Sequence, residues 1–293
     1  MTVKHVIEKH SPVTGETLGE FEVCSAEEVQ RAVARAREAF PVWRDLGLEG
    51  RLDALRRLQA VIASKGETYA RAISADTGKP LVDALMTELI AIPMFLEHYR
   101  KLAPRVLGRR KVKTPVVFPG KKSYVEYFPM GVIGVISPWN FPLQLAMIPT
   151  LSALIGGNTV VLKPSEVTPL TGEVMREMFD AIQLPRGTVE VVQGDGSTGA
   201  ALVQADIDKL FFTGSLATGR KVMAAAAQKP IPVELELGGK DAMIVCADAN
   251  LRRAARGAAW GGLLNCGQVC TSVARGCCSS RGARTRPGSP ATR

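Results

Sequence analysis

From Gly131 onward the chain alternates between short β-rich runs and helix-forming stretches, and this alternation restricts its fold more than any other feature. VIGVIS (132–137), TVVLK (159–163), TVEVVQ (188–193) and KLFFTG (209–214) are apolar runs of strand length. Helices are expected from Leu143 to Ile155, from Pro169 to Ile182, and within GDGSTGAALVQA and SLATGRKVMAAAAQ. PVELELGG (232–239) and AMIVC (242–246) complete the series. Buried-type strands separated by helices predict a parallel sheet covered by helices. Ligands of such sheets bind at the carboxyl ends of the strands.

The residues before this region read as helices after a short strand region. Ser25-Ala-Glu-Glu28 is a capping box. Val29, Val33, Ala36 and Phe40 then recur at helical spacing. A second helix is expected from Arg51, TGKP (77–80) interrupts it, and a third runs to Tyr99. Between Arg105 and Phe128, KVKTPVVF and SYVEYF form two extended arms around the PGKK turn. A hairpin this polar has little core of its own and is expected to pair with another chain or a distant segment.

Composition removes several function classes. No apolar run reaches the roughly 18 residues of a membrane span. The opening MTVKHVIEKHSPVTGE lacks the apolar stretch of a secretory signal, so a cytoplasmic location is expected. The net charge is +9, but residues 275–293 hold five arginines and no acid, which leaves 9 − 5 = +4 for the rest. No aromatic interleaving or binding module accompanies the charge, so no nucleic-acid partner is expected. The six cysteines include a C-x3-C and a C-C pair, poor spacings for zinc, and the histidines (5, 10 and 98) are remote in sequence; no metal is expected.

Unusual loops fall at the predicted carboxyl ends. In SPWNFP (137–142) two prolines restrict the backbone around Trp139, Asn140 and Phe141 and aim the Asn140 amide; the plainer alternative is a Pro-rich turn. In LKPSE (162–166), Lys163 leaves a strand, and Ser165 and Glu166 follow. A cation and a carboxylate there suit ribose hydroxyls, or else form an ordinary surface ion pair. GDGSTG (194–199), with Gly196, matches G-x-G-x-x-G but lacks a strand-end acid about 20 residues later. GSLATG (214–219), with Gly214, Ser215 and Gly219, opens a longer helix whose first N–H groups favour a phosphate. The second loop is the preferred pyrophosphate site, and the first shapes the adenosine pocket.

ELELGGK (234–240) carries Glu236, an acid in an apolar strand just before two glycines. Burial there would raise its pKa and suit it to act as a base; otherwise it is a strand-end cap. In NCGQVCTS (265–272), Cys270 is expected near a helix start, where N–H donors would stabilise a thiolate nucleophile; otherwise it is a small core residue.

Taken together and in order, Asn140, Lys163, Glu166, Ser215, Glu236 and Cys270 resemble the aldehyde dehydrogenase superfamily through PWNFP, KPSE, FTGS, ELGGK and GQVC. The resemblance runs from the N-terminal helices to about Arg275. It implies an α/β fold: a Rossmann-like parallel sheet with flanking helices, N-terminal helices and a protruding β-hairpin. Residues 1–104 and 129–268 would form the NAD-binding domain, 105–128 an oligomerisation-type hairpin, and 269–275 the start of a catalytic domain most of which is missing. It further implies that Cys270 attacks an aldehyde, that Asn140 and the Cys270 N–H hold the oxyanion, and that Glu236 activates the hydrolytic water. Lys163 would also serve catalysis.

Cofactor-binding positions implied in the same way are Trp139, Lys163, Ser165, Glu166, Gly196, Gly214, Ser215, Gly219 and Leu237. Glu166 favours NAD over NADP, because a carboxylate accepts from a 2′-hydroxyl and repels a 2′-phosphate. Full-length relatives would be homo-oligomeric. GCCSSRGARTRPGSPATR (276–293) has no Leu, Ile, Val or Phe and reads as an aberrant, disordered tail from a frameshift or truncated gene model. Two further readings are a non-catalytic NAD-binding fragment and an unstable partial product.

Overall fold

The computed structural model describes residues 5–278. Their contacts fall into two compact units, divided between Glu236 and Leu237.

In the first unit, β1 (Val6–His10) pairs antiparallel with β2 (Thr17–Glu22). Helix α1 (Ala26–Asp45) starts at the expected capping box: the Glu28 N–H donates to Ser25 Oγ at 3.2 Å, and the Ser25 N–H donates to Glu28 Oε2 at 2.8 Å. Helix α2 (Gly47–Thr77) ends at Gly78, whose φ of 77° reverses the chain. A short α3 (Leu81–Asp83) leads into a π-helical turn, Ala84–Leu89, and then α4 (Ala91–Leu107). Helix α4 thus runs past Tyr99 and past residue 105, where the hairpin was expected to begin. Leu96 and Ala103 continue its buried stripe beyond Ile92, and that packing carries the helix through Pro104. The hairpin proper is β3 (Arg110–Val112) with β4 (Ser123–Val125), antiparallel over three residue pairs.

The sheet follows the predicted alternation. Its elements are β5 (Val132–Ile136), α5 (Gln144–Ile155), β6 (Thr159–Lys163), α6 (Pro169–Ala181), β7 (Val189–Val191), α7 (Gly196–Gln204), β8 (Lys209–Gly214), α8 (Leu216–Ala226) and β9 (Val233–Leu237). The strand order is β7-β6-β5-β8-β9. The pairs β5–β6, β5–β8 and β6–β7 are parallel, with Ile136 level with Lys163 on one side and Phe212 on the other. Every residue of β5 and β6 is buried, as strands covered on both faces require. Gly134 is needed within β5, because a Cβ there would lie 2.9 Å from both Ile207 and Leu210 side chains. Helices α2, α4 and α5 close one face through Leu55, Leu58, Ile92, Met147 and Leu151. Strand order reverses between β5 and β8, the place where open parallel sheets take their ligands.

The second unit contains β10 (Asp241–Val245), α9 (Leu251–Leu263), a 3-10 turn (Leu264–Gly267) and β11 (Val273–Cys278). Asn250 caps α9 by accepting from the Arg253 N–H at 3.0 Å. Strand β11 runs parallel to β10 and continues beyond Arg275, with Gly276, Cys277 and Cys278 opposite Met243, Ile244 and Val245. The expected disordered tail therefore does not begin at residue 276. Ladder pairing uses backbone groups, so these residues need no apolar side chains to join it. The remainder of that tail, 279–293, lies outside the described residues. Among the described residues, no helix is long and apolar enough to cross a membrane.

Candidate active site

Three neighbouring strands deliver the first group of candidate residues. Strand β5 ends in the SPWNFP loop, β6 in LKPSE and β8 in Gly214-Ser215. The first two strand ends are tied by the Ser137 N–H, which donates to the Lys163 carbonyl at 3.1 Å. The Lys163 side chain is only 4% exposed, and its Nζ meets Glu166 Oε2 at 2.9 Å. Glu166 is 45% exposed, so its carboxylate faces outward while the cation stays covered. Ser165 is buried and its Oγ accepts from the Val167 N–H at 3.2 Å, which shapes the turn after Pro164. Ser137 Oγ, at the junction of the two loops, is buried without a hydrogen-bond partner.

The SPWNFP loop is held from below. Lys79 Nζ donates to the Asn140 carbonyl at 3.0 Å and sits 4.7 Å from the centre of the Phe141 ring. The same ammonium pairs with Glu88 Oε1. Glu88 Oε2 accepts from the Leu143 and Gln144 N–H groups at 3.1 and 2.9 Å and so covers the start of α5. Burial pushes the Glu88 carboxyl up, opposed by Lys79 and the two backbone donors. Trp139 stands exposed at the loop's tip.

The two glycine loops differ as anion sites. At the start of α7, just before Gly196, Asp195 itself accepts from the Ser197 N–H at 2.8 Å and the Ser197 hydroxyl at 2.7 Å. Those Ser197 bonds hold the Asp195 carboxyl below its ordinary range. A carboxylate already occupies that helix end and opposes a second anion. Helix α8 begins instead with neutral Ser215, which accepts from the Thr218 N–H at 3.1 Å, and both residues are exposed. Gly214 precedes it closely packed, since a Cβ would lie 2.6 Å from the Phe212 ring, and Gly219 is buried one turn into the helix. Helix α7 packs back towards the site: a Cβ on Gly199 would lie 3.8 Å from Lys163 Cδ.

Glu236 differs from expectation. Along β9, Val233, Leu235 and Leu237 are half-buried while Glu234 and Glu236 are exposed, so Glu236 is on the open side of the strand and not in apolar surroundings. Period-two alternation on a half-covered strand accounts for this.

Cys270, in the second unit, also differs. It lies in a turn closed by the Ser272 N–H donating to the Val269 carbonyl at 3.1 Å, between the 3-10 turn and β11, and not at a helix start. Asn265, Cys266 and Gly267 before it all have positive φ, at 50°, 58° and 77°. These left-handed residues end the helical run and turn the chain towards Cys270, whose side chain is exposed. The Gly239 N–H donates to the Cys270 carbonyl at 3.1 Å. Thus the second glycine of ELELGGK meets the candidate nucleophile's own backbone.

Comparison with known proteins places these features in one family. The aldehyde dehydrogenase family model matches residues 2–282. The chain belongs to the aldehyde dehydrogenase family. The match passes Arg275, where the sequence motifs alone ended the resemblance. Among aldehyde dehydrogenase relatives, a 4,4'-diapolycopene aldehyde oxidase of Methylomonas sp. is 44% identical over 266 residues, covering 90% of this chain and 50% of that protein. The NAD+ complex of a Bacillus cereus aldehyde dehydrogenase superposes with a TM-score of 0.90 at 33% identity, covering 96% of this chain and 57% of that one. An Escherichia coli NADP-dependent enzyme does so with a TM-score of 0.89 at 31% identity, covering 96% and 58%. The chain spans about half the length of the aldehyde dehydrogenase relatives it matches.

Several residues that shape the site escaped the sequence reading. Lys79 and Glu88 are two. Asp76 and Thr171 are two more: Asp76 Oδ2 accepts from the Thr171 N–H and hydroxyl, both at 2.7 Å, and fixes the start of α6 beyond LKPSE. A signal existed for Lys79, in a lysine squeezed between Gly78 and Pro80. Glu88 is likewise a single acid in the apolar run from Leu85 to Ile92.

Proposed function

We propose that this chain carries the cofactor-binding side and the nucleophile of an NAD-dependent aldehyde dehydrogenase that makes a carboxylic acid. The observation that carries the reading is the placement of Asn140, the Lys163–Glu166 pair and Ser215 after three adjacent strands at the reversal of strand order. The residues fit a dinucleotide. Glu166 offers an outward carboxylate to ribose hydroxyls, with the Lys163 ammonium 2.9 Å away as donor. The uncharged start of α8 at Ser215 accepts a phosphate, while Asp195 disfavours one at the start of α7 beside Gly196. Trp139, Ser165, Gly214 and Gly219 complete that side, and Leu237 ends β9. When bound, the nicotinamide accepts a hydride.

The chemistry assigned to the chain is then specific. The Cys270 thiolate adds to the aldehyde carbon to give a thiohemiacetal. The Asn140 amide and the Cys270 N–H hold the oxyanion. Loss of hydride leaves a thioester, which water activated by Glu236 hydrolyses, releasing the acid and the free thiol. Exposure of Glu236 leaves that carboxylate open to water. Glu166 favours NAD over NADP. Location in the cytoplasm and assembly of full-length enzyme through the hairpin belong to the same reading; Val116, Val117 and Phe118 are exposed in that hairpin.

A second reading rests on the exposure of Cys270, a thiol with no surrounding pocket to hold an aldehyde against it among the described residues: binding of NAD without turnover. The test is purified chain of verified mass with NAD and a panel of aldehydes, read by NADH absorbance and by calorimetry. Saturable NAD binding weakened in Glu166→Ala, with NADH formation abolished in Cys270→Ala, is the expected result. Binding without turnover supports the second reading. Absence of NAD binding, or turnover indifferent to Cys270→Ala, refutes the first.

A further inference from the structure

We propose that Lys79 and Glu88 are positioning residues that set the main chain of Asn140, and hence the point from which its amide acts. The inference rests on the role given to Asn140 above. Both side chains come from outside the recognised motifs, and both are almost fully buried, at 3% and 0% exposure.

Lys79 starts from a rigid platform. Its N–H donates to Thr77 Oγ1 at 3.3 Å and its carbonyl accepts from Ser74 Oγ at 2.6 Å. Gly78 before it has φ of 77°, and a Cβ there would lie 3.1 Å from Pro12, so the turn accepts little other than glycine. From this platform the ammonium reaches the Asn140 carbonyl, the Phe141 ring and Glu88.

Glu88 extends the same hold along the loop. It comes from the π-helical turn, a geometry found mostly as single turns and often near functional sites. Its two oxygens divide the work: Oε1 takes Lys79, and Oε2 takes the first N–H groups of α5. The loop is therefore gripped at residue 140 by a cation and at 143–144 by an anion, and the two grips share one ion pair. A buried pair of this kind contributes little net stability compared with apolar residues of equal volume. Its directed bonds end on the backbone that carries Asn140, which is the contribution an apolar pair could not make.

The test separates position from stability. Glu88→Gln, Lys79→Met and the double variant Lys79→Met/Glu88→Leu are made in the full chain. Backbone hydrogen exchange is followed at 139–145 and at the strands 132–136 and 159–163, beside urea denaturation and acrylamide quenching of Trp139. The amides of residues 143 and 144 lose their acceptor in the double variant and are expected to exchange about tenfold faster there, as loss of a buried hydrogen bond implies, and by a smaller factor in the single variants, which keep an acceptor oxygen at residue 88. In the double variant the strands keep their protection and the urea midpoint holds, while the loop stays loosened and Trp139 quenching changes. Wild-type loop exchange in the double variant would overturn the proposal, and so would loss of strand protection equal to that of the loop. With turnover in hand, kcat falls and KM for NAD stays. A loosened loop with kcat unchanged would refute the role of Asn140 and leave the brace standing, so the two failures are distinguishable.

Discussion

Asp76 gives the sharpest test of how the start of α6, after the LKPSE loop, is built. Its side chain is fully buried, and Oδ1 lies 3.4 Å from Lys9 Nζ, itself only 11% exposed. Lys9 Nζ also donates to the Val167 carbonyl at 2.7 Å. Thr171→Val removes one hydroxyl donor to a buried carboxylate and leaves the Thr171 N–H bond in place. A hydrogen bond to a charged group is worth about 1.5–3 kcal/mol, so a loss of about that size is expected. Asp76→Ala removes both Thr171 bonds and leaves the Lys9 cation without its partner, which for a broken buried pair costs about 3–5 kcal/mol. Asp206, with a side chain 87% exposed, is the control, and its alanine variant should stay within about 0.5 kcal/mol of wild type. Urea denaturation followed by circular dichroism measures all three. The double variant Asp76→Ala/Thr171→Val should cost no more than Asp76→Ala alone, because the hydroxyl has then lost its acceptor. An Asp76→Ala loss below about 1 kcal/mol, or full additivity in the double variant, would refute this account of the network.

Two further outcomes follow from single contacts. Burial, with Glu177 beside it, pushes the Tyr69 phenol from an ordinary 10.0 up to about 12. The folded state then keeps a proton that the unfolded chain has lost, so stability should fall as pH rises above 10.0 and level off beyond about 12. Alkaline denaturation of Tyr69→Phe should lack that part of the slope, and an unchanged slope would contradict it. At Gly239 an alanine Cβ would lie 2.8 Å from the Cys270 carbonyl, whereas at Gly238 it meets nothing within 4 Å. Gly239→Ala should cost about 1–3 kcal/mol through overpacking and change the alkylation rate of Cys270 relative to Cys246 in peptide mapping. Gly238→Ala should be silent, and equal effects of the two would refute the contact.

The sheet was legible because it was written in consecutive residues. TVVLK and KLFFTG became β6 and β8 residue for residue, and the loops after them stood where the alternation placed them. Ser25 and Glu28 likewise announced α1. Reading failed where a single residue's surroundings depend on how far a neighbour covers it. Glu236 has apolar neighbours in sequence, yet alternation on a half-covered strand turns it outward. Cys270 follows a helix-like stretch, yet three left-handed residues break the helix first. Helix α4 outran its predicted end because Ala103 could still be buried, a fact of tertiary packing that no local pattern states.

The braces were illegible for a different reason. Lys79 meets Asn140 across 61 positions, and Asp76 meets Thr171 across 95. Yet these two side chains leave the same helix end three residues apart. One reaches the SPWNFP loop and the other the helix that follows LKPSE. The C-terminal turn of α2 is therefore a common support for the loop bearing Asn140 and for the helix that follows the loop bearing Lys163 and Glu166. Its geometry depends on Gly78, which gives the reversal that separates the two directions. A short break between helices, DTGKP, thus bears on that loop and that helix without contributing an atom to the chemistry proposed.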